Sequence, residues 1–400
     1  MQRITLNPRP DWQTKVESVG LTYHSPEAMA PKPYWDESAC YQFTAAEVDT
    51  LEAAANGMQE MCLAAAQHVI DNKLYAQMEI PQTAVPMIEW AWNAEPPALY
   101  GRFDFLYNGS EPPKLLEYNA DTPTSLLEAA VVQWHWLEDV GGSLPSAHHF
   151  LPFTTDKADQ FNSIHERLIA KWKDIAPYLS KPIYFAGTDE PEDILTLAYL
   201  EDTAQQAGLP TARIAMLDIG WNNDRNAFLD VDEKRIDTIF KLYPWETMMS
   251  EQFAPQALDT YREMHWIEPI WKMLLSNKGI LPILWKLYPN HPNLLPAYFD
   301  QPGSNTLKDY VRKPLHGREG SNVTLVRNGA TVVINEGPYD GPCIVQALGP
   351  EAVYRDASGD PRYPVLGLWM IDQECGGMGI RESGGPITDN LSSFVPHYFR

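Results

Sequence analysis

Arg102 and Asp104 stand two residues apart, as do Glu117 and Asn119, and both runs alternate polar with apolar residues around Asn108-Gly109. That pattern predicts a β-hairpin over Leu99 to Asn119, in which side chains two apart share a face. Asp104, Glu117 and Asn119 can then gather on one side. Two carboxylates and an amide oxygen are hard donors, suited to Mg²⁺ on the phosphates of a nucleotide. An amphipathic hairpin with its polar face in water fits the pattern equally well. Leu115 falls on that polar face, which simple alternation does not explain.

A second run, Lys313-Pro-Leu-His-Gly317-Arg318-Glu-Gly320-Ser321-Asn322, places two glycines within four residues between apolar stretches. Its backbone N–H groups could fold over phosphates, although the Gly-Lys-Ser/Thr ending of a Walker A loop is absent. A plain surface turn is the competing account. Ser276-Asn277-Lys278-Gly279 ends a helical stretch, where a lysine commonly just complements the helix C-terminus. In Glu374 to Gly385, glycines would permit close backbone approach to a ligand, and Arg381 could grip a carboxylate or phosphate bidentately. A flexible glycine-rich loop with a solvated arginine fits there too. The Trp90-Ala91-Trp92 and Trp134-His135-Trp136 pieces read as core and lobe contacts rather than a sugar site.

These pieces need elements to position them. Thr44-Ala-Ala-Glu47 has capping-box spacing and predicts a helix to about Asn72; Ser125 to Val140 reads as another. A strand, helix, strand unit is expected from Ile183 to Ala186, Pro191 to Ala207 and Ala212 to Leu217, inside the chain rather than at its start. Helical character returns from Leu258 to Ser276. Strands joined by glycine-rich loops follow from Lys313 onward.

Composition narrows the function classes. A chain of 400 residues, 44% hydrophobic and 21% charged, can bury a large core, and a formal charge of -23 argues against nucleic acid as a partner. That charge gives a weak hint of a cationic substrate, and solubility explains it at least as well. The start lacks a secretory apolar segment and no stretch of about 18 apolar residues occurs, so a cytoplasmic protein with no membrane partner is expected. Cys40, Cys62, Cys343 and Cys375 show no Cys-x-x-Cys pairing and read as free, mostly buried thiols. His148 and His149, far in sequence from any cysteine, read as surface histidines rather than a zinc site.

Taken together and in order, the Arg-x-Asp, Glu-Tyr-Asn-Ala-Asp121, Tyr243-Pro-Trp-Glu246, Ser-Asn-Lys278 and Lys313-Pro-x-x-Gly-Arg-Glu-Gly-Ser-Asn strings resemble the glutathionylspermidine synthetase family from about Tyr34 to Arg400. The resemblance implies an α/β (α+β) chain with a circularly permuted ATP-grasp fold and an inserted α/β lobe. Residues 1–125 would hold the helical region and metal hairpin, 126–255 the inserted substrate lobe, and 256–400 the nucleotide-binding part. It implies ATP and two Mg²⁺ ions, the ions held by Asp104, Glu117 and Asn119. Lys278, Lys313, Gly317, Arg318, Gly320, Ser321 and Gln346 would contact ATP, and Arg102 and Arg381 would stabilise an acyl phosphate. Thr122, Thr124, Glu192, Asp193 and Glu246 are the implied substrate contacts. The implied activity joins a small-molecule carboxylate, glutathione-like or peptide-like, to an amine or polyamine. A nucleotide-binding relative with ATPase but no ligase activity is the alternative. Thr122 and Thr124 stand where bifunctional members carry Ser-type residues, and the amidase domain of those members is not expected before Tyr34.

Overall fold

The computed structural model describes residues 1–141, 158–303 and 307–400. His148 and His149 lie outside the described residues. The chain is mixed α/β, with three principal sheets.

The expected hairpin is present, with strands Tyr100–Leu106 and Lys114–Asn119. It continues on the Tyr100–Leu106 side through Pro361–Ile371, Glu374–Ser383 and Ser393–Phe394 in one antiparallel sheet. Asp104 pairs with Glu117 and Phe105 with Leu115, so Leu116 is the unpaired extra residue of a bulge. That corrects the simple alternation. Leu115 turns into the core beside Phe103, Phe105 and Tyr118, while Leu116 and Glu117 turn the other way. Residues 374–383 form a strand, bulged at Gly376, rather than a flexible loop. A Cβ on Gly379 would come within 2.8 Å of the Phe394 ring, so this glycine serves close packing.

A second antiparallel sheet runs Ala297–Phe299, Cys343–Ala347, Tyr310–Pro314, Thr324–Arg327, Ala330–Ile334. It carries Lys313 and Gln346. The third sheet contains the strand, helix, strand unit as Ile183–Gly187, Pro191–Gln206 and Thr211–Ala215, joined in parallel by Thr238–Leu242 and His265–Ile267. That last strand interrupts the helix expected over Leu258 to Ser276. Trp266 and Ile267 are buried by pairing with this sheet, and Pro269 follows, so α-helix forms at Ala254–Thr260 and Met273–Ser276, the latter led in by a 3₁₀ turn at Ile270–Lys272.

Thr44 and Glu47 cap the long Ala45–Asp71 helix reciprocally, as their spacing predicts. The helix after Ser125 opens into a wide π turn over Glu128–Val132 before continuing as Gln133–Gly141. All four cysteines are buried and free.

Candidate active site

Two cavities meet at the polar face of the hairpin. The larger, about 630 Å³, is lined by Arg102, Asp104, Glu117, Asn119, Thr122, Thr124 and Arg381, with Glu192 and Asp193 on its far wall. The smaller, about 200 Å³, is mostly apolar, with Leu106, Leu116, Val311 and Leu325 around Lys313 and Gln346. Asp104, Glu117, Lys278, Gly317 and Gly320 line both.

The side chains at and beside this junction are held by ion pairs and hydrogen bonds. Arg102 grips Asp104 bidentately, Nε to Oδ1 at 2.6 Å and NH2 to Oδ2 at 3.0 Å, and donates to the Thr124 carbonyl at 2.8 Å. It lies across Gly367, where a Cβ would stand 2.8 Å from Arg102 Cδ. Lys278 reaches Glu117 Oε2 at 2.9 Å and the Gly317 carbonyl. Lys313 donates to Gln346 Oε1 at 2.9 Å and to the Leu116 carbonyl at 3.1 Å, and Gln346 in turn donates to the Leu115 carbonyl at 2.9 Å. The bulge thus ties the hairpin to the second sheet.

Electrostatics separate the two carboxylates. Burial pushes both upward, but Lys278, Lys313 and Arg102 bring Glu117 down to about 2, so it is a carboxylate at any working pH. For Asp104 burial outweighs Arg102, and its pKa lies above the ordinary value. Burial brings Lys313 down to about 8, against the pull of Glu117.

The Gly317 to Asn322 loop lies over the junction, with Glu319, Gly320 and Asn322 at positive φ. Among the described residues, none accepts from the N–H groups of Arg318, Glu319 or Gly320. A Cβ on Gly320 would stand 2.4 Å from the Thr388 carbonyl oxygen, so the loop rests on the 386–390 segment. Arg318 donates to Thr122 Oγ1 at 3.0 Å and pairs with Glu246. Glu246 therefore meets Arg318 and lines neither cavity; Ser321 lines neither either, its Cβ lying where a side chain on Gly337 would go.

Opposite the hairpin, Thr124 Oγ1 donates to Glu192 at 3.2 Å, and Thr188 Oγ1 donates to Asp193 at 2.6 Å. Both acids lie in the first turn of Pro191–Gln206, where the helix dipole favours negative charge. Glu190 and Asp389 add to this acidic wall.

The donor set fits divalent metal. No group of three His, Cys, Asp or Glu side chains occurs among the described residues, and the hairpin offers two carboxylates with one amide instead. Both carboxylates face the junction, Asp104 balanced by Arg102 and Glu117 by Lys278. Asn119 Oδ1 accepts from the Thr122 N–H at 3.0 Å and keeps a second lone pair.

The sequence reading missed His316, Thr388, Asp389 and Asn390, which also line the larger cavity. Only the nearness of His316 to Gly317 could have flagged any of them. The sequence reading took Asp121 only as part of a string and missed its partner Lys241, paired with it at 2.7 Å with both side chains fully enclosed.

A charged junction between a polar and an apolar cavity is the arrangement of an enzyme site that can hold two ligands side by side. Comparison with known proteins gives the class a family: residues 3–400 match the glutathionylspermidine synthase preATP-grasp family. The chain belongs to this family, and with it to the ATP-dependent enzymes that join an acid to an amine through a C–N bond. It is similar to a Haemophilus influenzae protein provisionally named an acid–amine ligase, with 38% identity over 100% of both chains. It is 30% identical to the trypanothione synthetase of Crithidia fasciculata over 83% of this chain and 52% of that one. It is 26% identical to the bifunctional glutathionylspermidine synthetase/amidase of Escherichia coli over 73% of this chain and 49% of that one. The chain thus spans about half the length of the latter two. No helix among the described residues is long and apolar enough to cross a membrane.

Proposed function

We propose that the chain phosphorylates a peptide-like or glutathione-like carboxylate with ATP and passes the acyl group to an amine or polyamine, giving an amide, ADP and phosphate. The observation that carries this reading is the meeting of the two cavities at Asp104, Glu117, Lys278, Gly317 and Gly320. The apolar slot suits a nucleotide base, with Lys313 and Lys278 at its phosphate end. Asp104, Glu117 and Asn119 would hold Mg²⁺, which supplies charge neutralisation on the phosphates. Free N–H groups of the Gly317 to Asn322 loop then cover the phosphates and exclude water. Arg102 and Arg381 face the larger cavity, where an acyl phosphate would form.

Glu190, Glu192 and Asp193 suit a substrate with several positive charges, which supports a polyamine as the amine. Glu246 would reach substrate only if Arg318 left it. Ser321, whose N–H donates to the Arg318 carbonyl at 2.9 Å, would reach ATP only if the loop rearranged. The same reading takes the fold as a circularly permuted ATP-grasp, because the metal carboxylates precede the phosphate lysines in the chain. It divides the chain at about 125 and 255, with the His265–Ile267 strand lent back to the inserted lobe.

The test is ADP release with Mg²⁺-ATP and glutathione, with and without spermidine, followed by product mass. Spermidine-dependent ADP release with an amide product is expected. ADP release indifferent to amine and acid, with no amide from a panel of peptides and amines, would leave a nucleotide-binding ATPase.

A further inference from the structure

One buried carboxyl near the cavity wall has no part in the chemistry above. Glu128 is 4% exposed and lies at the start of the π turn. Its Oε1 accepts from the Tyr34 hydroxyl at 2.7 Å, and that hydroxyl also meets Ser125 Oγ at 2.9 Å. Tyr34 is fully enclosed, whereas Ser125 lines the larger cavity. Ser125 Oγ accepts from Arg381 at 3.3 Å, and the Arg381 guanidinium lies 5.2 Å above the Tyr34 ring. A hydrogen-bonded chain therefore runs from the cavity beside Arg381, through Ser125 and Tyr34, to an interior carboxyl.

Two backbone irregularities support this chain. Ser125 takes φ +66°, strained for a residue with a side chain, and the π turn sets the position of Glu128. Such departures from regular geometry concentrate at functional positions.

We propose that Glu128, through Tyr34 and Ser125, receives the proton that the amine substrate must lose before it attacks the acyl phosphate. This rests on the ligase reading. The ammonium proton passes to Ser125 Oγ as the serine proton moves to Tyr34 Oη and the tyrosine proton to Glu128 Oε1. The freed nitrogen lone pair forms the C–N bond, the acyl C–O bond to phosphate breaks, and the second amine proton leaves with the phosphate. Arg381 holds Ser125 in line while facing the acyl phosphate. Ser125 alone touches the substrate; Tyr34 and Glu128 act through it.

The charges around the carboxyl suit that task. Burial raises Glu128 to about 7, the Tyr34 hydrogen bond and Arg381 oppose the rise, and Glu192 adds to it. A proton acceptor works best with a pKa near working pH.

Hydroxylamine, a nucleophile already unprotonated at neutral pH, separates this role from a structural one. With Mg²⁺-ATP and glutathione, Glu128→Gln keeps the acceptor for Tyr34 and removes the proton site. The ratio of spermidine turnover to hydroxylamine turnover should fall about 100-fold, within the range for a lost acid–base group. The wild-type fall in kcat below about pH 7 at saturating spermidine should vanish in the variant. Tyr34→Phe, which cuts the chain but keeps the ring under Arg381, should lower the ratio likewise. An unchanged ratio in both variants, with the acid limb intact, would overturn the relay and leave the ligase reading standing. No product from the wild type with either nucleophile, on glutathione or a panel of peptides, would overturn the ligase reading and the relay with it.

Discussion

Two lysine–carboxylate pairs in this molecule look alike on paper and differ in surroundings. Lys241 and Asp121 are fully enclosed, and every polar atom is answered from within. Asp121 also accepts from the Trp245 N–H at 2.9 Å, and Lys241 donates to the Tyr243 carbonyl at 2.9 Å with its ammonium 4.6 Å over the Trp245 ring. Lys278 and Glu117 instead face both cavities, and the Glu117 side chain is 34% exposed. The enclosed pair joins the parallel sheet to the turn after Asn119. The open pair, on the proposed function, would exchange one of its partners for a ligand. A salt bridge alone therefore says little about role; what surrounds it decides.

The sharpest way to break this comparison is Glu117→Ala. It should abolish Mg²⁺-dependent ATP turnover in a folded protein, with only a modest drop in melting temperature, because Lys278 and Lys313 beside it keep the Gly317 carbonyl, the Leu116 carbonyl and Gln346 Oε1 as partners. Normal turnover in the folded variant would remove the metal assignment. Lys241→Met should show the opposite signature. Leaving Asp121 buried without its partner costs about 3 to 5 kcal/mol, read as a lower denaturation midpoint. Should K241M unfold like the wild type, the enclosed pair has no structural role.

Lys313→Met tests the phosphate end of the slot. Loss of one charge-assisted contact removes about 1.5 to 3 kcal/mol, or about tenfold to a hundredfold in ATP affinity, with a much smaller change in stability. The wild type adds a pH signature. Burial lowers Lys313 to about 8, so it is charged below that pH and neutral above it. ATP affinity should weaken as pH rises through about 8 in the wild type and not in K313M; calorimetry across that range reads both. The smallest effect should come from Gly320→Ala, whose methyl meets the Thr388 carbonyl at positive φ. Turnover should drop while stability shifts by about 1 kcal/mol. Hydrogen exchange over residues 315–325 should slow with ATP and Mg²⁺, and less with ADP; indifference to nucleotide would make the loop a surface turn.

The hairpin, the capped Ala45–Asp71 helix and the strand, helix, strand unit were legible because each depends on local periodicity. The Leu116 bulge left one trace, Leu115 on the polar face of a simple alternation, but a single apolar misfit does not say where the extra residue sits. His265–Ile267 was read as helix because its strand character comes from a partner at Thr238–Leu242. Glu374–Ser383 was obscured by glycines that suggest a loop until Phe394 is seen packing on Gly379. At the site, residue types pointed to Asp104, Glu117 and the two lysines. Nothing in the sequence could bring Thr388 to Gly320 or set Arg318 on Glu246, because both contacts depend on tertiary folding.

Leu116 has a consequence for how the protein can change. Phe105 with Leu115 and Asp104 with Glu117 would keep their faces if Leu116 were deleted, since an unbulged strand alternates correctly through those pairs. The hairpin has no need of the residue for its own pairing. What the residue supplies is slack: it turns its carbonyl out toward Lys313, next to the Leu115 carbonyl that Gln346 reaches. A single-codon deletion there would leave a well-paired hairpin and take away the carbonyl that Lys313 holds. The seam between the two halves of the site is written in one spare residue, where an alignment gap would look harmless.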